Sequence, residues 1–116
     1  MDETTGMKFC VVIVPSEDGD RLLSRMSELQ FSATKVGSSG GFLKRGSVTV
    51  FSALEEARVP ELVAMLHRDF PEVVESMPIA MLPFSDDLEL SPASVVDVRV
   101  GGAVLFVLPL DRVVRV

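Results

Sequence analysis

Apolar and polar positions change period several times along the chain, and each change marks an element. Met7–Pro15 reads Met-Lys-Phe-Cys-Val-Val-Ile-Val-Pro, a β-branched run closed by proline and short enough for a buried strand. Ser16 then offers an N-cap, and Glu17 and Asp18 suit the positive end of a helix. Leu22, Met26 and Leu29, with Leu23 beside them, fall at helical spacing and predict a helix ending near Gln30. Phe31–Gly37 reads as extended, Gly37-Ser38-Ser39-Gly40-Gly41 as a turn, and Lys44-Arg45-Gly46 as a second tight spot. In Ser47–Leu54, Val48, Val50 and Ser52 alternate against Thr49, Phe51 and Ala53, which predicts a strand. Pro60 belongs in the first turn of a second helix, whose stripe is Val59, Leu62, Val63, Leu66 and Phe70.

Beyond that helix the pattern breaks. Pro71–Pro92 holds four of the seven prolines together with Met77, Ile79, Met81, Leu82 and Phe84. The segment predicts a long proline-rich loop, either folded over its own core or serving a function. Val95–Val100, Gly101-Gly102 and Ala103–Leu108 predict a hairpin, because two glycines accept the positive φ angles of a type I′ turn. The order strand, helix, two strands, helix, loop, hairpin describes an α+β domain. Two helices on one face of an antiparallel sheet in a βαββαβ sequence is the ferredoxin-like arrangement, here with an additional C-terminal strand. One domain over residues 1–116 is expected, with residues 1–6 a flexible N-terminus and 71–92 the long loop.

Composition narrows the possibilities. With 116 residues, 47% of them apolar, and a mean hydropathy of +0.38, the chain has enough apolar surface to offset its entropy, which excludes disorder as the main state. So apolar a composition in so short a chain also suggests surface buried between subunits. Acidic residues outnumber basic ones 17 to 11, for a net charge of −6. Binding to a nucleic-acid polymer or an anionic membrane is disfavoured, since both need a basic face. The lone Cys10 fits a reducing compartment, and Met1-Asp2-Glu3 has no basic n-region. The apolar runs Val11–Val14 and Ala103–Leu108 are too short for membrane insertion. A cytoplasmic location is expected.

The charge is unevenly spread. Between Glu28 and Glu55 there is no acid, while Lys35, Lys44 and Arg45 are all present. The same window holds Gly37, Gly40, Gly41 and Gly46, with Thr34, Ser38, Ser39, Ser47 and Thr49. Glycines let backbone N–H groups wrap an anion, and short hydroxyls add donors without bulk. Phe42 is the aromatic of this loop, and the chain has neither Trp nor Tyr, so a stacked base would have to use phenylalanine. Two readings stand: an ordinary flexible turn, or a site for a small phosphorylated ligand near Lys35 or Arg45.

The stretch Phe31-Ser32-Ala33-Thr34-Lys35-Val36, the small residues up to Gly40-Gly41-Phe42-Leu43, and Gly46-Ser47-Val48-Thr49 resemble the signature of the PII-like cyclic-di-AMP receptor family. That signature runs Phe-Arg-Ala-Thr-Lys-Leu, small residues, Gly-Gly-Phe-Leu, and Gly-Asn-Thr-Thr. Far along the chain, Val100-Gly101-Gly102-Ala103-Val104-Leu105-Phe106-Val107-Leu108-Pro109 is similar to the family's closing Val-Gly-Gly-Ala-Thr-Val-Phe-Val-Leu-Pro. The opening strand and Glu56-Ala57-Arg58-Val59 fit as well. The resemblance implies a ferredoxin-like subunit assembled as a homotrimer, a signal receptor rather than an enzyme, with cyclic di-AMP or another small nucleotide in clefts between subunits and a protein target reached through loops. By position it assigns ligand contacts to Gln30, Ser32, Thr34, Gly41, Phe42, Leu43 and Ser47. Gly40, Lys35 and Arg45 join them from the anion argument. The chain departs from the signature where Ser32 replaces an arginine and Ser47 an asparagine. Each lost charged or bidentate contact is expected to weaken binding by roughly 1–3 kcal/mol.

Other chemistry has thinner support. His67 is the sole histidine, so neither a multi-histidine metal site nor a Ser-His-Asp triad can be built in one subunit. It reads as a partly exposed structural residue on the border of the second stripe. Cys10 reads as core, and Asp86, Asp87 and Glu89 as a solvated loop tip. An acylphosphatase-like enzyme needs a basic phosphate loop after the first strand, whereas Pro15-Ser16-Glu17-Asp18-Gly19 is acidic. No catalysis and no cofactor are expected. The alternative to a nucleotide sensor is a trimeric interaction module with a degenerate pocket.

Overall fold

The computed structural model describes residues 2–36, 46–78 and 94–116. The elements in chain order are β1 (Asp2–Thr4), β2 (Met7–Pro15), α1 (Gly19–Glu28), β3 (Thr34–Val36), β4 (Ser47–Glu55), α2 (Val59–Asp69), β5 (Glu72–Pro78), β6 (Val95–Gly101), β7 (Val104–Pro109) and β8 (Val113–Arg115). β2, β3, β4 and β7 form one antiparallel sheet in the order β3-β4-β2-β7. Strand, helix, two strands, helix, strand in that spatial order is the ferredoxin-like α+β fold inferred from the sequence.

Period-two alternation decides the faces. Cys10, Val12 and Val14 of β2, with Val48, Val50 and Leu54 of β4, are buried against Leu22 and Met26 of α1 and Leu62, Met65 and Leu66 of α2. Phe31 and Phe70, just past the two helix ends, complete this core. Each fully buried Leu or Met contributes roughly 1.5–3 kcal/mol. The opposite face has no helix over it among the described residues. It carries half-buried Phe9, Val11, Ile13 and Phe51, and Val104, Phe106 and Leu108 of β7 are 51%, 52% and 43% exposed. Phe9 and Phe51 stack there with ring centroids 5.2 Å apart.

Several expectations are corrected. Ser16 makes no capping hydrogen bond; Ser16–Asp18 is a 3₁₀ turn, and α1 starts at Gly19. Residues 2–4, expected as part of a flexible terminus, form β1 and pair with β8. The first part of the expected loop, Glu72–Pro78, is strand β5, antiparallel to β6 from Glu72↔Gly101 to Pro78↔Val95; residues 79–93 lie outside the described residues. This pairing also overturns the hairpin. β6 belongs with β5 and β7 with β2, so Gly101 and Gly102 turn the chain from one sheet to another. Both keep the positive φ foreseen for them, 77° and 84°. A Cβ on Gly102 would lie 3.2 Å from that of Glu72, and one on Gly101 3.1 Å from the Pro71 carbonyl, so the corner is tight as well as left-handed.

Candidate functional site

The end of α1 builds the first half of the site. The Phe31 N–H donates to the Met26 carbonyl and the Gln30 N–H to the Ser27 carbonyl, both at 2.9 Å. These are the paired bonds of a Schellman cap, whose left-handed position usually holds glycine. Here it holds Gln30, with φ 62°. The cap reverses the chain so that Phe31 enters the core, 6% exposed, while Gln30 and Ser32 stay outside. The Ser32 hydroxyl donates to the Ala53 carbonyl of β4 at 3.2 Å.

Arg58, at the entry to α2, builds the second half. Its guanidinium lies 4.1 Å from the centre of the Phe31 ring and donates to the Leu29 carbonyl at 2.7 Å. It also meets both carboxylate oxygens of Glu61, at 3.0 and 3.1 Å. These hydrogen bonds are the main reason why the Arg58 pKa is raised and that of Glu61 lowered. One arginine thus ties the end of α1 to the start of α2.

Between these groups opens a shallow pocket of about 250 Å³. Phe31, Ala53, Leu54 and Met7 give it apolar walls, and Gln30, Ser32, Glu55, Arg58 and Arg115 give it polar ones. Pockets that enclose a whole small ligand run to roughly 300–1,000 Å³, so this one is too small to enclose such a ligand by itself.

The residues singled out in the sequence do not all meet here. Gln30 and Ser32 line the pocket. Thr34 is exposed on β3 opposite Phe51, on the same sheet face as Ser32. Lys35 points the other way, and its ammonium lies 3.7 Å from Asp20 at the start of α1. Ser47 stands at the opposite end of β4 from Ala53, next to Gly46, whose carbonyl accepts from the Ser16 N–H at 3.0 Å. By strand rise, Ser32 and Ser47 are roughly 20 Å apart, so one subunit does not bring them around one small group. Gly40, Gly41, Phe42, Leu43 and Arg45 lie outside the described residues. Arg58, Glu55 and Arg115 were not singled out as site residues. For Arg58 the signal was present, an arginine three residues before Glu61 at a helix start; for Arg115 there was none.

His67 is exposed. Cys10 is fully buried, and burial raises its pKa, which keeps it a thiol. Among the described residues no cluster of three or more His, Cys, Asp or Glu side chains could hold a metal ion. No described helix is long and apolar enough to cross a membrane.

A ferredoxin-like sheet with an open, polar-rimmed pocket at the helix ends defines a small α+β protein with a candidate ligand site. The profile of the cyclic-di-AMP receptor family matches residues 7–116; the chain belongs to this PII-like family. Among solved structures it is similar to a functionally unknown protein from Pediococcus pentosaceus ATCC 25745, with 29% identity, a TM-score of 0.70, and coverage of 97% of this chain and 100% of that one.

Proposed function

We propose that the protein is a trimeric cyclic-di-AMP sensor that binds the dinucleotide between neighbouring subunits and passes its occupancy to a protein partner. The observation that carries this reading is the pocket at Gln30 and Ser32, which belongs to a receptor family yet is too small and open to enclose a dinucleotide by itself. A neighbouring subunit would supply the missing wall. The sheet face with no helix over it among the described residues supports the assembly: Val104, Phe106 and Leu108 lie about half exposed beside Phe9, Val11 and Phe51. Symmetric association gives such a face a partner. The roughly 20 Å between Ser32 and Ser47 fits the same picture, because two subunits can offer opposite ends of β4 to one cleft.

The role is recognition without turnover. The β5–β6 ribbon, largely exposed and joined to the sheet through Gly101 and Gly102, is the part best placed to report occupancy to a partner. Calorimetry with cyclic di-AMP, alongside AMP and ATP at matched salt, is the test. Saturable binding of one cyclic di-AMP per subunit in a trimeric particle is the expected result. A trimer that binds no adenine nucleotide would leave an interaction module, and a monomer would remove the intersubunit site.

A further inference from the structure

The two arginines of the pocket are in very different states. Arg58 has its charge and donors engaged: it grips Glu61 with two hydrogen bonds, caps the Leu29 carbonyl and covers the Phe31 ring. Arg115, on the last strand, lines the same pocket and is exposed. Among the described side chains it forms no hydrogen bond or ion pair, while its neighbour Arg112 lies 3.8 Å from Glu3. The remaining polar groups of the pocket are neutral Gln30, neutral Ser32, already hydrogen-bonded to Ala53, and the acid Glu55.

We infer that Arg115 is the anion-pairing residue of this pocket and a determinant of nucleotide affinity. The inference rests on the proposed sensor role. A guanidinium with no partner for its N–H donors among the described side chains, at the mouth of an apolar-walled pocket, matches the fork geometry of a phosphodiester. Arg58 cannot take that part without giving up the contacts that join the two helices. β8 holds Arg115 at the pocket through β1, with Thr4 opposite Val113, Glu3 opposite Val114 and Asp2 opposite Arg115 itself. The C-terminal strand is thereby part of the binding site as well as an edge of the fold. Glu55 opposes an incoming anion, so the charge of Arg115 has to outweigh it.

The test is calorimetry with cyclic di-AMP, at two salt concentrations, on wild type, Arg115→Ala, Arg115→Lys, Ser32→Arg with Arg115→Ala, and Arg112→Ala. Thermal melting checks that each variant is folded. Arg115→Ala should weaken binding at least tenfold and flatten its salt dependence. Arg115→Lys should fall between, keeping the charge but losing the fork. Ser32→Arg should restore much of the loss, because an arginine there opens onto the same pocket, and Arg112→Ala should bind as wild type does. If wild type binds and Arg115→Ala binds within twofold of it, the inference is overturned while the sensor reading stands. If wild type binds no adenine nucleotide, the sensor reading falls and the inference falls with it.

Discussion

Gln30 keeps a left-handed backbone conformation, φ 62°, that costs an L-residue roughly 1–2 kcal/mol. Glycine would relieve that cost but loses roughly 0.5–1 kcal/mol through its freer unfolded chain. Gln30→Gly should therefore raise stability by about 0.5–1 kcal/mol in urea denaturation, and at the same time weaken cyclic-di-AMP binding. A side chain retained at a strained position beside a pocket is what function at that residue would produce. Ser52 is the opposite case. Its hydroxyl is buried in the core opposite Cys10, at 2% exposure, with no hydrogen-bond partner among the described residues. Ser52→Ala removes an unpaired polar atom and should stabilise the fold by about 1 kcal/mol with binding unchanged. Denaturant midpoints for the two variants, read beside their calorimetry, separate a residue kept for binding from one that is merely unsatisfied.

The two helices are clamped at both ends by an arginine lying over a phenylalanine. Arg58 covers Phe31, and Arg21 covers Phe70, each at 4.1 Å from the ring centre. Arg58 reaches Leu29 at the end of α1, and Arg25 of α1 lies 3.5 Å from Asp69 at the end of α2. Hydrogen bonds from Arg58 to Glu61 and from Arg68 to Asp69 are the leading causes that lower these two carboxyl pKa values. A carboxyl whose pKa is lower folded than unfolded gives stability that is complete above its unfolded pKa, about 4. That stability is lost as pH falls through the folded value. Glu61→Gln and Asp69→Asn should therefore lower stability at pH 7 and flatten its decline below about pH 4, followed by circular dichroism on acid titration. Arg58→Lys should not rescue Arg58→Ala, since an ammonium cannot reproduce the two-pronged grip or the ring contact. At this scale the sequence was most legible where signals are local. The stripes through Leu22 and Met26 and through Leu62 and Leu66 located both helices, and the alternation from Val48 to Ser52 located the buried face of β4. It was least legible where pairing is remote. Gly101-Gly102 has the same local chemistry whether it closes a hairpin or turns the chain between sheets. Only Glu72–Pro78, on the far side of residues 79–93, decides which. Ser32 was reached through the motif that begins at Phe31 and Gln30 by its position just before it, but the convergence of Arg58 and Arg115 on them depends on two further, separate strand and helix placements.

At the scale of the whole molecule, the sheet is apolar on both faces, while among the described residues helices cover only one. Cys10, Val12, Val48 and Val50 are satisfied by α1 and α2. On the other side Phe106 sits in register with Val11 and remains 52% exposed, flanked by Val104 and Leu108 on its own strand. In the proposed assembly, burial of this face between subunits would make one residue decisive. A glutamate in place of Phe106 stays solvated in a monomer but would have to be desolvated without a partner in an assembly, which costs several kcal/mol per subunit. Phe106→Glu should therefore sediment as a folded monomer at micromolar concentration, where the proposed assembly makes the wild type a trimer. Its circular dichroism should be unchanged, because the side chain takes no part in the helix-side core. Cyclic-di-AMP binding should collapse along with assembly, since in the proposed intersubunit site the pocket at Gln30 and Ser32 would lose the wall that a neighbour would provide. The control is Val74→Glu on the exposed β5–β6 ribbon, 62% exposed in the wild type, which should leave both mass and affinity as they are. A Phe106→Glu protein that stays trimeric would mean that the apolar sheet face is not the assembly surface. A monomeric variant that still binds cyclic di-AMP with wild-type affinity would put the whole site within one subunit.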